Sequence, residues 1–382
     1  MGPLAGFRIV EMAGIGPAPF AATLLADMGA EVIRVDRREA ADLGLPGREP
    51  RFDVLHRGRR SLAVDVKSEA GREVVRRLAT KADALIEGFR PGVMERLGLG
   101  PDILLKANPR LVFGRMTGFG QDGPMAQAAG HDIDYIALAG ALHAIGRKEG
   151  PVPPLNLVGD FGGGGMFLAF GVVCGLLEAK KSGKGQVVDA AMVDGAAYLM
   201  AGIYGLFSQG SWLDQRGANF IDGGAPYYDV YATRDGKWLA VGAIETRFYE
   251  ELIEKLGLAG KDLPKQHDRK RWPELKERIA AAIATRTRDE WETIFKGSDA
   301  CVAPVLAMGE VARHPHNRAR STFVERDGVL QPAPAPRFSR TAPELGSAPR
   351  PRGADSEAVL ADWGFAPAEI AELNRAGVVG VA

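Results

Sequence analysis

The chain has 382 residues, 46% of them hydrophobic and 25% charged, which calls for two cores and has the composition of an ordinary globular protein. Lys plus Arg and Asp plus Glu each number 48, so the formal net charge is zero. The basic surplus that general nucleic-acid or membrane-surface binding usually brings is missing, and neither partner is expected.

Cys174 and Cys301, the two cysteines, show no metal-type spacing. Each lies in an apolar run and reads as a buried free thiol in a reducing compartment. The opening MGPLAGFRIVEMAG lacks the charged start and long apolar run of a signal peptide. Residues 161–177 are apolar, but glycines interrupt them and Glu178-Ala179-Lys180-Lys181 closes them, short of a clean membrane span. The final Val-Gly-Val-Ala is not a peroxisomal address. A cytoplasmic location is the expectation.

In chain order, residues 7–12 (FRIVEM) predict a strand, 19–28 a helix ending at Gly29, and 31–35 (EVIRV) a second strand. This is a βαβ unit, the start of a parallel sheet. A third strand is expected over 62–66 and a helix over 69–80. Further strands follow over 82–87 (ADALIE) and 111–116 (LVFGRM), a doubly wound α/β pattern. Residues 131–210 read as mostly helical, with one short strand at 186–189. Residues 226–241 predict a hairpin turning at Arg234-Asp235-Gly236-Lys237. Helices over 246–256, 272–285 and 288–295 and a strand over 301–306 complete a smaller α+β domain. A Pro/Ala/Arg-rich stretch, 331–352, reads as an extended linker, and helices over 355–363 and 367–376 are expected to return to the first domain. The expected division is a large domain over 1–218, completed by 331–382, and a small one over 219–330.

Candidate chemistry centres on residues 130–165. His131 opens a helical stretch whose inner face is expected to carry Ile133, Ile136, Ala137 and Gly140. Asp160 precedes four glycines and a second helix starting at Met166. The stiff loop Pro151-Val152-Pro153-Pro154 between them turns the chain back, so two helix starts can face each other. Alone, His131 reads as a structural histidine and Asp160 as an N-cap. The turn Gly14-Ile15-Gly16-Pro17-Ala18-Pro19 follows the first strand as a dinucleotide fingerprint would. Pro17 and Pro19 lack the N–H groups that such a site needs, so it reads as a tight strand-to-helix turn. Arg37, Lys67, Arg90 and Arg96 follow strand carboxyl ends, where loops of an open parallel sheet converge, and together they suit a polyanionic ligand.

These stretches resemble one family. LAGFRIVEMAGIGPAP, ADMGAEVIRVDR, LIEGFRPGVMERLGLG, MTGFGQDGP, GHDIDYIALAG, LNLVGDFGGGG, GKGQVVDAAMVDG and GGAPYYDVY are similar, in order and over nearly the whole chain, to the α-methylacyl-CoA racemases of the family III CoA-transferase superfamily. The resemblance implies a Rossmann-like large domain plus a smaller α+β domain, and two such chains interlocked as a homodimer. It implies an acyl-CoA substrate, with CoA entering as part of the thioester and no separate cofactor or metal. It also implies CoA contacts at Arg37, at Val64, Asp65, Val66 and Lys67, at Gly88, Phe89 and Arg90, at Arg96, and at Gly130, Asp132, Ile133, Asp134 and Tyr135. The implied acid and base are His131 and Asp160, with Glu245 supporting the histidine.

Racemisation of a thioester needs one group on each face of a planar enolate, one to take a proton and one to return it. Amides around Asp160 and Gly162 are the expected donors to the enolate oxygen. The same amides and helix dipole should lower the pKa of Asp160, against the need of a general acid. Two other readings remain: a family III CoA-transferase working through acyl-Asp160, and a non-catalytic acyl-CoA carrier. The histidine in GHDIDY favours the racemase over the first, since the transferases lack it. The acyl pocket is open at this stage, with residues 192–200 and 198–207 as apolar candidates.

Overall fold

The computed structural model describes residues 2–39 and 49–381. The chain divides into two units, Met1–Ala139, Leu155–Leu199 and His316–Ala382 in the first, Gly140–Pro154 and Met200–Pro315 in the second.

In the first unit six strands form the central sheet: β1 (Arg8–Met12), β2 (Glu31–Asp36), β3 (Arg59–Ala63), β4 (Ala84–Glu87), β5 (Val112–Thr117) and β6 (Val187–Ala191). All pair in parallel, in the order β3-β2-β1-β4-β5-β6. Alternate side chains enter opposite layers. Val10, Ile33, Leu62, Leu85 and Phe113 face one core, and Ile9, Val32, Ala84, Ile86 and Val112 face the other. Burial on both faces explains why β1, β2, β4 and β5 read as mostly apolar runs.

Five helices matter for the site: α1 (Pro17–Asp27), α2 (Glu69–Lys81), α3 (Asp132–Leu138), α4 (Met166–Ser182) and α5 (Met192–Leu199). Pro17 starts α1 where a missing N–H costs nothing. Ser68 caps α2 by accepting from the Gly71 N–H at 3.1 Å. Leu168, Val172 and Leu176 of α4 join Ala21, Ala22 and Leu25 of α1 on one side of the sheet. The other layer takes Val74 and Leu78 of α2 together with Val359, Leu360 and Trp363 from the C-terminal segment. That segment also pairs with the strand ends, the Asp65 N–H donating to the Val378 carbonyl at 2.8 Å.

Several expectations shift. The third strand is not 62–66 but Arg59–Ala63. Its two arginines hide it from a hydrophobicity pattern, yet Arg59 is buried in an ion pair with Glu11 of β1 at 2.8 Å, and a charge carried into a core in this way requires its partner. On α3 the buried residues are Asp132, Tyr135 and Ile136, while Ile133 is 43% exposed and Ala137 also faces outward. Tyr135, which packs edge-on to Phe119 at 4.9 Å, sets the helix phase in place of Ile133. Both cysteines are exposed rather than buried. The inward face of α4 runs through Leu168, Val172, Gly175, Leu176 and Ala179, which leaves Cys174 off it; Cys301 lies just ahead of strand Val302–Pro304 with a φ of 51°.

The largest difference concerns the glycines. They do not interrupt the helix. Leu157–Gly165 forms a π-helix that runs directly into α4. The combined helix, Leu157–Ser182, spans 26 residues and is long and apolar enough by length and composition to cross a membrane. Here Gly159, Gly163, Gly164 and Gly165 are buried.

In the second unit, strands Tyr228–Ala232 and Trp238–Gly242 form the expected hairpin, with Val302–Pro304 as the third antiparallel strand. Helices Thr246–Lys255, Trp272–Ile283 and Arg288–Phe295 cover it with Leu252, Trp272, Leu275, Ile279 and Trp291.

The glycine run lets backbone meet backbone. A Cβ added at Gly195 of α5 would lie 1.8 Å from the Gly163 carbonyl oxygen. Gly195→Ala is therefore expected to lower stability by about 1–3 kcal/mol, read as a lower midpoint in urea at unchanged slope. An unshifted midpoint would show that the contact is not tight.

Candidate active site

The strand order reverses between β1 and β4, and in an open parallel sheet the crevice at such a reversal, beyond the strand carboxyl ends, is where ligands bind. A cleft of about 610 Å³ lies there. Ile15 and Gly16 after β1, Gly88, Phe89 and Arg90 after β4, and Gly118 and Phe119 after β5 form its walls. His131, Asp134, Tyr135 and Asp160 complete it, with Met192 at the start of α5.

His131 is the N-cap of α3 and its side chain is exposed. Its backbone is fixed from both directions. The His131 N–H donates to the Asp134 carboxylate at 2.9 Å, half of a capping box. The Tyr135 hydroxyl donates back to the Gly130 carbonyl. Burial, and next the charge of Asp160, push the Tyr135 phenol up to about 12, so near neutral pH it keeps the proton that it donates.

Asp160 is not an N-cap ahead of α4. It lies in the first turn of the π-helix, half-buried. π-Helical turns widen the backbone and recur at functional sites. Burial raises the Asp160 carboxyl above its ordinary value; a hydrogen bond from Asn156 opposes this, the charge of Asp132 adds to it, and His131 opposes it. The downward shift expected from the helix start is thus overturned. The Asp160 amide is not free for an enolate oxygen either, because it donates to Asp132 Oδ1 at 2.6 Å. The Asn156 side-chain amide donates to Asp160 Oδ2 at 3.2 Å. Gly16, read from sequence as a plain turn, has a φ of 69°, and a Cβ there would stand 3.2 Å from Asp160 Oδ2. The turn leaves space for the carboxylate.

The structure thus brings His131 and Asp160, 29 positions apart in sequence, to one cleft. A second cleft of about 530 Å³ opens where β2 and β3 end, lined by Arg37, Val64, Asp65, Val66 and Lys67. Phe89 lines both clefts, so they adjoin at one side chain. Arg96 is exposed and is not among the lining residues of either cleft, nor are Asp132, which is 6% exposed, and Ile133. Glu245 belongs to the second unit, exposed at the N-cap of Thr246–Lys255. Sequence reasoning missed Asn156 and the role of Gly16. For Gly16 the signal was available, since a glycine between a strand and a Pro-started helix commonly marks a backbone conformation closed to other residues.

Residues 4–356 match the family described as CoA-transferase family III. An alpha-methylacyl-CoA racemase of Mus musculus is 47% identical over 380 residues, covering 98% of this chain and 97% of the relative. The alpha-methylacyl-CoA racemase of Homo sapiens is 46% identical over 382 residues, with the same two coverages. Among solved structures, a CAIB/BAIF family protein from Brucella suis superposes with a TM-score of 0.80 at 24% identity, covering 95% of this chain and 99% of that one. That likeness supports the fold.

Two variants test the geometry around Asp160. Asn156→Leu removes a donor to the charged carboxylate, so the Asp160 titration, followed by carboxyl ¹³C NMR, should move to still higher pH; a move downward or none contradicts the assigned bond. Gly16→Ala places a Cβ in a backbone region that only glycine tolerates, and a loss of about 1–3 kcal/mol is expected in a thermal or urea melt.

Proposed function

We propose that this chain, which belongs to CoA-transferase family III, interconverts (2R)- and (2S)-2-methylacyl-CoA thioesters by 1,1-proton transfer through an enolate. The observation that carries this reading is the pairing, in one cleft, of a solvent-facing imidazole with a carboxyl whose proton affinity burial has raised. The names and identities of the mammalian relatives agree with it.

The chemistry follows from the two groups. A thioester α-hydrogen is weakly acidic, and its removal leaves a planar enolate. With His131 neutral and Asp160 protonated, the imidazole takes the α-proton from one face and the carboxyl returns one to the other. The enzyme is then left with imidazolium and carboxylate, the state that processes the opposite enantiomer. No net charge or proton is gained across the turnover. A positioned acid or base contributes about 10²–10⁴-fold, so stabilisation of the enolate oxygen must supply a comparable share. The raised Asp160 carboxyl matters here, because a general acid works best when its pKa approaches the working pH.

In this proposal the CoA moiety lies along the adjoining clefts. Arg37 and Lys67 serve the anionic end, Val64 to Val66 and Phe89 the apolar contacts between, and Arg90, Gly130 and Tyr135 the thioester end. CoA enters as part of the substrate, and the two side chains suffice for the proton transfers without a further cofactor. Met192, in the cleft beside Asp160, supports residues 192–200 as part of the acyl-binding surface. A homodimer belongs to the same proposal, supported by the exposed apolar side chains Tyr198, Leu199, Tyr204 and Phe207, and so does a cytoplasmic location, supported by two unpaired exposed thiols.

The deciding experiment incubates a (2R)-2-methylacyl-CoA with the enzyme in deuterated water and no acceptor acid. Epimerisation with one α-deuterium taken up per turnover is the expected result; activity that requires a carboxylic acid acceptor would instead reveal CoA transfer through Asp160. His131→Ala and Asp160→Asn should each lower the epimerisation rate by at least about 10²-fold, and full activity in either would overturn the two-base assignment.

A further inference from the structure

We propose that the Asp132 carboxylate is a positioning residue for the acid–base reaction: it anchors the backbone of Asp160 and holds a fixed negative charge beside the Asp160 carboxyl. This rests on the reading of Asp160 as one of the two proton-transfer groups. It assigns to the Asp132 side chain a task different from contact with CoA.

Asp132 is the first helical residue of α3, next to His131, and only 6% of its surface is exposed. Its Oδ1 accepts the Asp160 N–H at 2.6 Å. Its Oδ2 is buried with no hydrogen-bond partner. Room for the group has been made on the opposite side: a Cβ added at Gly159 would lie 2.6 Å from Oδ1. The carboxylate therefore closes the start of one helix while belonging to the start of another. One bond couples the backbones that carry His131 and Asp160.

A neutral asparagine could accept the same N–H through its oxygen and would not bury a charge. The second oxygen, buried without a partner, is what an anchoring role alone leaves unexplained. Negative charge beside a carboxyl disfavours its ionisation, and a general acid needs to keep its proton. The other ionisable groups in the cleft are His131, Asp134, Tyr135 and Arg90. Apart from α3, the elements packed on the π-helix contribute Pro17, Ala18, Met116, Thr117 and Met192 to the cleft, none of them ionisable. Asp27 pairs with Arg57 and Arg115 with Glu87 and Glu95, while Asp189 accepts the Gln121 N–H and is repelled by Asp194 in the first turn of α5; none of them lines the cleft. Glu178, Lys180 and Lys181 lie in the last turns of α4. Asp132 is the carboxylate that touches the Asp160 backbone.

The test uses full-length wild type and Asp132→Asn, with Asp132→Ser as a second variant. Two readouts are taken: the Asp160 titration by carboxyl ¹³C NMR, and the pH profile of epimerisation in both directions. In Asp132→Asn, the Asp160 titration and the acidic limb of kcat/KM should move together to lower pH. The limb should move alike for both enantiomers, because their kcat/KM ratio is fixed by the equilibrium constant. At neutral pH kcat should fall about 10–100-fold, the scale of a displaced catalytic group, with KM little changed. A residue that only stabilised the fold would lower the melting temperature and leave the pH profile in place, and that result overturns the proposal. Should neither variant fold, wild type decides: the Asp132 carboxyl resonance must step as Asp160 takes up its proton, and a resonance blind to that step overturns the coupling. If wild type itself exchanged no α-proton, the proposed function would fail, while the NMR titration would still report separately on the Asp132–Asp160 coupling.

Discussion

Backbone-to-backbone contact around the glycine turn is the constraint on which the site depends. The π-helix Leu157–Gly165 is approached by α5 so closely that Gly163 and Gly195 tolerate no side chain between them. On its other side Phe161 stacks on Phe20 of α1, with ring centroids 4.6 Å apart. Held between two helices, the turn cannot relax into a regular α-helix and slide along its axis. Asp160 is thereby kept at the crevice where the sheet order reverses. The glycines that look like a flexible loop are a condition for rigidity, since packed interiors transmit strain rather than absorb it.

The same confinement settles a competition between two electrostatic effects. A helix start favours negative charge, by about 0.3–1 kcal/mol at an exposed position. Removal of a carboxylate from water disfavours it, and the effect grows with burial until it dominates other influences. Asp160 is half-buried and its amide is spent on Asp132, so the helix start has little left to offer. Burial wins, and the carboxyl is raised. His131, which lines the same cleft, is exposed. Two groups with different solvation share one site, a recurring arrangement where acid and base must hold opposite protonation states.

The arrangement also accounts for the length of the ligand. One cleft carries His131 and Asp160 and the other carries Arg37 and Lys67, with Phe89 common to both. Both open at strand carboxyl ends, one at the reversal between β1 and β4 and the other beyond β2 and β3. A small hydroxy acid or a simple carboxylate would leave the second cleft unused. A long thioester with an anionic end matches both, and it is a substrate class consistent with a CoA-transferase family III chain.

The sequence by itself determined β1, β2, β4 and β5, because strands buried on both faces leave mostly apolar runs, and helices such as Arg288–Phe295, because caps and period are local signals. It determined the family too, since the motifs that carry His131 and Asp160 are contiguous. It could not place β3, whose Arg59 is tolerable inside only because Glu11 waits on β1, two strands away. Nor could it find the inward face of α3, which is set by Tyr135 meeting Phe119 rather than by the isoleucine period. Whether the Asp160 carboxyl would be shifted down by a helix start or up by burial was decided only in three dimensions. Burial and hydrogen-bond partners are properties of what the folded chain brings near a residue; here Asp132, which accepts the Asp160 N–H, and Gly16, which leaves room for its carboxylate, come from other parts of the chain.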